Sequence, residues 1–239
     1  MTPKPDDQFD AKVQDICRLY RDAPERASRG ERIVSTDELT GVQAIERRHP
    51  GLPPAPGKVE RREFEYVRHG TQSFMINFDV VTGQVVMPSV GPTRTEVDFA
   101  AHVARTIASA PEVRQWHFVV DNLNTHQSEA LVRLVAAESE LDIDLGEKAL
   151  YGILATQARR AAFLSDPTHR IVFHYTPTHA SWMNQVEVWL GILVRKVIRR
   201  GNFTSVSDLQ QKVLAFITYF NHTLAKPFKW TYEGKPLQV

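Results

Sequence analysis

His117-Phe-Val-Val-Asp-Asn-Leu-Asn-Thr-His126 is the stretch that decides the fold. Trp116 to Val120 is a short apolar run of the length a buried strand needs, and Val119-Val120 anchors it in a core. Asp121-Asn122 then leaves the run for a polar loop that ends at His126. A buried strand here hands a carboxylate to the edge of a sheet. The same reading applies upstream, where Arg32 to Thr36 makes a β-branched strand that closes on Asp37 and Glu38.

Working outward, the strands come first. Phe64 to Arg68 reads as a strand, His69-Gly70 as a turn, and Ser73 to Val81 as the next strand. Thr82-Gly83 turns the chain into Val85-Val86-Met87. After these, helices and strands alternate. Thr95–Ala108 and Ser128–Glu138 carry helical apolar spacing, as does a piece around Ala155–Leu164. Ile171 to His174 is a strand stopped by Pro177, and Ser181 to Arg200 reads as one long helix ended by a left-handed Gly201. Ser205 caps a last helix to His222. An amphipathic helix over 8–21, ended by Ala23-Pro24, leads in. This order predicts an α/β fold, a mixed sheet flanked by helices on both faces. The organisation expected is a helical lead-in at 1–30, a main domain at 31–225 and a tail at 226–239. The charged, irregular stretch 139–170 reads as an insertion.

Composition narrows the partners. A net charge of +1 over 239 residues means that any nucleic-acid contact must come from local basic patches. The single cysteine, Cys17, rules out an internal disulfide framework and a cysteine-rich zinc site. No apolar run approaches the ~20 residues of a membrane span, and Met1-Thr-Pro-Lys-Pro-Asp-Asp is no signal peptide. A soluble, cytoplasmic protein with no membrane contact is expected.

A third acid, Glu187, sits in Ser181-Trp-Met-Asn-Gln-Val-Glu-Val-Trp189. Val186, Trp189, Leu193 and Val197 mark the buried side of that helix, so Glu187 points elsewhere, on a stripe with Asn184, Gly191 and Arg195. Two strand-end carboxylates and one helical carboxylate suit a pair of Mg²⁺ ions, which want hard oxygen ligands. Bare carboxylates ~4 Å apart repel by about 4 kcal/mol at an effective dielectric of ~20, so such a cluster demands cations. Paired divalent ions clamp the attacking and leaving oxygens of a phosphodiester. Asp37, Asp121 and Glu187 are therefore the candidate catalytic and metal-binding residues, with Mg²⁺ as the ion and Mn²⁺ as its substitute. Arg195-Lys196 and Arg199-Arg200 offer a basic lane for phosphates; the arginine pair reads equally as a solvated helix end.

Around this core stand residues with two readings each. Glu38 is a supporting acid or a solvated one. Arg68 and His69 contact phosphate or build a hairpin turn. Asn122, His126 and His179 touch DNA, orient the acids, or satisfy loop hydrogen bonds. Trp182 and Trp189 are core residues, with base stacking by Trp182 as the alternative. The phosphate-loop look of Gly51…Gly57-Lys58-Val59 fails, because Val stands where a hydroxyl should bind Mg²⁺.

Several segments carry a family resemblance. They are Asp37-Glu-Leu-Thr-Gly-Val-Gln-Ala44, Tyr66-Val-Arg-His-Gly-Thr71, Val120-Asp-Asn-Leu-Asn-Thr-His126, Thr176-Pro-Thr-His-Ala-Ser-Trp-Met-Asn-Gln-Val-Glu187, Arg199-Arg-Gly-Asn-Phe203 and Pro227-Phe-Lys-Trp230. With them the chain resembles, over nearly its whole length, the catalytic domain of DDE transposases of bacterial insertion sequences, the group allied with the mariner superfamily. The resemblance implies a ribonuclease H-like fold and assigns the metal triad to Asp37, Asp121 and Glu187. It further implies double-stranded DNA (element ends and target) as partner, a short AT-containing target, a homodimer on that DNA, and work at the bacterial nucleoid. Two departures stand out. The Asp121–Glu187 interval is longer than in compact mariner relatives, and Leu39 replaces the lysine common after the glutamate. Full-length relatives also carry N-terminal helix-turn-helix domains, so a separately encoded DNA-binding part is expected. Three activities fit: cleavage with strand transfer, metal-dependent cleavage alone, or an idle chain that binds DNA or regulates a full-length enzyme.

Overall fold

The computed structural model describes residues 6–61 and 63–234. In chain order the elements begin with helices α1 (Phe9–Arg21) and α2 (Ala23–Ser28), then strands β1 (Glu31–Arg47), β2 (Tyr66–Asp79) and β3 (Val85–Gly91). Helix α3 (Glu96–Ala108), strand β4 (Gln115–Val120) and helix α4 (Glu129–Glu138) follow. Next come the small strands β5 (Gly146–Glu147) and β6 (Tyr151–Gly152), helix α5 (Gln157–Leu164) and strand β7 (Ile171–Tyr175). Helices α6 (Gln185–Leu193) and α7 (Val206–Thr223) complete the order. The main sheet runs β3-β2-β1-β4-β7. β1, β2 and β3 pair antiparallel, whereas β4 and β7 join in parallel.

β1 is longer than its β-branched start predicts, and Asp37 lies inside it rather than at its end. The reason is pairing: β2 runs beside it, with Asp37 opposite Ile76 and Glu38 opposite Met75. A neighbouring strand overrides the low strand preference of Asp and Glu. The predicted turn at His69-Gly70 is likewise absent. β2 passes straight through, and Gly70, at φ 121°, takes up a register shift between the Gln43–Thr71 and Ile45–Arg68 pairs. Gly41, at φ 63°, sits in the other shift, on β1.

Helices cover both faces, as expected. Val34, Met75, Trp116, Phe118, Val120 and Phe173 bury one face under α3, α4 and α5. Phe74, Ile76 and Phe78 bury the other under α6 and α7, while Ile33 and Val119 pack with α1. Each such side chain contributes about 1.5–3 kcal/mol when fully buried. Residues 139–170 fold as the β5–β6 hairpin, a 3-10 turn and α5, with Leu154 and Leu164 fully buried in the α3–α4 core.

Three helix boundaries differ from expectation. Pro24 does not merely end α1; it opens α2 from the first turn, where its missing N–H costs nothing. The single helix from Ser181 to Arg200 is three pieces: a 3-10 turn at Ser181–Met183, α6, and a π segment at Val194–Ile198. Gly201 is not left-handed; a Cβ there would lie 2.1 Å from the Phe203 ring, so it is glycine for close packing. No helix among the described residues is long and apolar enough to cross a membrane. In the tail, Trp230 and Tyr232 pack near α1, and residues 235–239 lie outside the described part.

Candidate active site

Ser35 of β1 pairs with Val119 of β4 in parallel register. Two residues further on, Asp37 and Asp121 come level on neighbouring strands, Asp121 just past the end of β4. Side chains alternate across a strand, so residues two apart share a face. Ser35 faces α6: its hydroxyl donates to Asn184 Oδ1 and accepts the Val186 N–H at 2.7 Å. Thr36 faces the other way, where its hydroxyl donates to Asn77 Oδ1 at 2.7 Å and Asn77 Nδ2 donates to Thr106 of α3 at 2.8 Å. Asp37 therefore shares the α6 face, and Glu38 the opposite one.

Glu187 arrives from the first turn of α6 and is exposed. Asn184 holds the N-cap position of that helix without bonding its N–H groups and is fully buried; its Nδ2 donates instead to the Thr36 carbonyl at 3.1 Å. Tyr20 of α1 donates its hydroxyl to the Met183 carbonyl at 3.0 Å. The helix carrying the third acid is thus bolted to the strand carrying the first. Sequence reasoning missed Ser35 and Tyr20; the signal for Ser35 was a hydroxyl inside an otherwise apolar strand.

The electrostatics follow from this crowding. Burial pushes the Asp37 carboxyl up; the Glu38 N–H on its Oδ1 at 2.7 Å opposes, while the charges of Asp121, Glu187 and Glu38 add to the rise, to about 7. Asp121 behaves oppositely. Burial works to raise it, but His126 at 2.7 Å, the Leu123 N–H at 2.9 Å and the charge of Arg94 hold it below the usual carboxylate range. For His126 burial works downward, and its contacts with Asp121 and Glu38 outweigh it, lifting the imidazole to about 10. A divalent cation fits the donor set chemically, since three hard carboxylates are close enough that Asp37 feels the charge of the other two. Among the described residues no three acids, histidines or cysteines close around one point as a cage. The acids share a field without forming a complete protein shell, as suits an ion that keeps water and substrate ligands.

The other predicted residues divide. Asn122 Nδ2 donates to the Thr176 carbonyl at 2.6 Å, tying the Asp121 loop to the end of β7. His126 is fully buried and so is not a DNA contact, and the Glu38 side chain, 2% exposed, is no solvated acid. Arg68 and His69 are not brought to the acids: Arg68 stacks on Tyr66, and His69 meets Glu46 at 2.7 Å. At ~3.3 Å per residue they lie roughly 23–26 Å along β2 from Ile76. His179 is exposed, at φ 64°, in the loop after β7. Trp189 is core, but Trp182 is half-exposed against Trp230 and Tyr232. Gly191 does not make room beside Glu187; it admits the Arg195 guanidinium, 3.2 Å from where a Cβ would sit. Arg195, Lys196, Arg199 and Arg200 are exposed and line a concavity of about 510 Å³. A separate cavity of about 470 Å³, lined by Asp15, Arg26, His117 and His174, lies under α1 and contains none of the three acids.

A five-stranded mixed sheet with helices on both faces is the ribonuclease H-like fold. The sequence profile described as DDE superfamily endonuclease matches residues 32–210, which hold all three acids, and the chain belongs to that family. It is similar in fold to the catalytic domain of Mos1 mariner transposase, at TM-score 0.52 and 10% identity over 91% of this chain and 85% of that one. It is also similar to the Mos1 strand transfer complex, at TM-score 0.54 and 13% identity over 90% of this chain. The chain spans 55% of the length of that transposase. No curated protein sequence matches it.

Proposed function

We propose that this chain is the catalytic domain of a transposase that cuts DNA at the ends of a mobile element and joins the freed 3′ ends to target DNA. The observation that carries the reading is the convergence at Asp37. Its carboxyl is lifted to about 7 by burial and by Asp121 and Glu187, two acids remote in sequence. Asp37 and Asp121 would hold divalent cations from the sheet, and Glu187 from α6. Bound there, Mg²⁺ or Mn²⁺ would supply an activated water or 3′-hydroxyl and neutralise charge on the phosphate. Structures of the similar Mos1 catalytic domain include one with Mn and one with Mg, which supports the choice of ion.

The chain's own residues would do the rest. Arg195, Lys196, Arg199 and Arg200, on the segment that continues α6, would take backbone phosphates and set the strand in register. The substrate is double-stranded DNA, and the working form a dimer bridged by it. Cleavage without joining is the second reading, since the family description names an endonuclease. A strand-transfer assay with pre-cleaved ends separates the two. Joined product lost in Asp37→Asn, Asp121→Asn and Glu187→Gln supports the transposase reading. Cleavage alone in the wild type leaves a nuclease, and full activity in all three variants ends both readings.

A further inference from the structure

Glu38 is adjacent to Asp37 in sequence, yet strand alternation sends it to the opposite face of the sheet. There it meets a side chain from the second acid's own loop. His126 Nε2 lies 3.2 Å from Glu38 Oε1, and His126 Nδ1 lies 2.7 Å from Asp121 Oδ1. The imidazole is closed in: it is fully buried and packed at a tilt against Phe99 with centroids 4.3 Å apart, while the Tyr175 hydroxyl fixes the backbone of His126 by donating to its carbonyl at 2.9 Å. The Leu123 N–H also donates to Asp121 Oδ1, at 2.9 Å. His126 Nδ1 also bonds the Asp121 carbonyl at 3.3 Å, so the ring holds both the backbone and the Oδ1 side of this residue, which leaves Oδ2 for an external ligand.

We propose that Glu38 and His126 are positioning residues: a buried relay from β1 through the imidazole fixes the Asp121 carboxylate so that Oδ2 is the oxygen offered to a divalent cation. This rests on the metal-site reading above and deepens it. Neither residue touches metal or substrate. The relay turns a loop carboxylate with two rotatable bonds into a preset ligand, as carboxylate–histidine pairs do around other metal sites. It also links Asp121 to the strand of Asp37, so the two acids hold their spacing before any ion arrives.

Asparagine and glutamine separate this role from simple packing. The Asn amide nitrogen reaches the place of Nδ1 and keeps a donor for Asp121; the Gln nitrogen reaches the place of Nε2 and keeps only the Glu38 contact. The readout is the Mg²⁺ concentration that half-saturates the thermal shift of the whole chain, with no activity required. His126→Asn, which loses only the Glu38 end of the relay, should need several-fold more Mg²⁺ than wild type, and His126→Gln, which loses the Asp121 end, roughly tenfold or more, the range typical of such supporting residues. Glu38→Gln, a milder change that guards against a misfolded histidine variant, should weaken Mg²⁺ by several-fold. Equal Mg²⁺ requirements in wild type, His126→Gln and Glu38→Gln would overturn the relay, as would the larger loss falling on His126→Asn. If the wild type itself gains no stability from Mg²⁺, the metal-site reading fails instead.

Discussion

Asn184 Nδ2 donates to the Thr36 carbonyl, tying the cap of the Glu187 helix to the strand residue just before Asp37. The same amide accepts from Ser35 through Oδ1, so one buried side chain spans both backbones. Asn184→Ala should therefore cost tertiary bonds to β1 rather than a helix-cap bond. It takes the acceptor from the Ser35 O–H, which keeps only the Val186 N–H, and a donor from the Thr36 carbonyl, and each buried polar group left short of a partner costs about 1–3 kcal/mol. Urea unfolding should show a loss of at least ~2 kcal/mol with unchanged m-value, while cleavage by the folded fraction falls as well. Full cleavage in a destabilised variant would reduce the bolt to a scaffold feature.

The raised Asp37 carboxyl makes stability depend on pH in a definite direction. In the unfolded chain the group loses its proton near 3.8; in the folded protein it keeps it to about 7. Between those values the native state binds more protons than the unfolded state, so stability falls as pH rises through this window and levels off above it. A divalent cation replaces the proton, so Mg²⁺ should stabilise strongly at pH 8 and weakly at pH 5. Melting temperatures from pH 5 to 8.5, with and without Mg²⁺, measure this. A Mg²⁺ shift equal at both ends of the range contradicts it.

Asp37→Asn isolates that contribution. It removes one charge from a crowded site while keeping the shape, and so should raise the melting temperature of the metal-free protein at pH 8 and abolish cleavage. A structural aspartate behaves the other way, losing stability on neutralisation. The difference between wild type and variant should also flatten below pH 4, where both carry no charge at this position.

How much of this the sequence makes legible follows from which interactions are local. Asp121 was legible because Trp116–Val120 is a self-contained apolar run whose end is marked by Asp-Asn. The position of Asp37 inside β1 was not, since Asp-Glu-Leu-Thr-Gly has poor strand preference and is extended only by Met75 and Ile76 on the neighbouring strand. For the same reason the opposite facing of Asp37 and Glu38 was hidden: alternation can be applied only once the strand is known to continue. The break of the long helix was invisible too, because the apolar spacing through Val197 suits α and π geometry alike. The roles of Glu38 and His126 stayed ambiguous because each depends on a partner 88 residues away in sequence.

The basic segment after α6 supplies a last test that is independent of the acids. Arg199 and Arg200 are exposed and line one concavity with Arg195 and Lys196. If that concavity takes DNA phosphates, the double variant Arg199→Ala/Arg200→Ala loses up to two contacts, each releasing roughly one counterion's worth of salt dependence. The slope of log affinity against log salt should then shrink by about 1–2, with affinity lowered on every DNA sequence alike. The Mg²⁺-dependent thermal shift should stay as in wild type, because the acids are untouched. Fluorescence anisotropy across 50–200 mM salt reads the slope directly. An unchanged slope would return the arginine pair to the role of a solvated helix end, where cations already favour the negative pole of the helix.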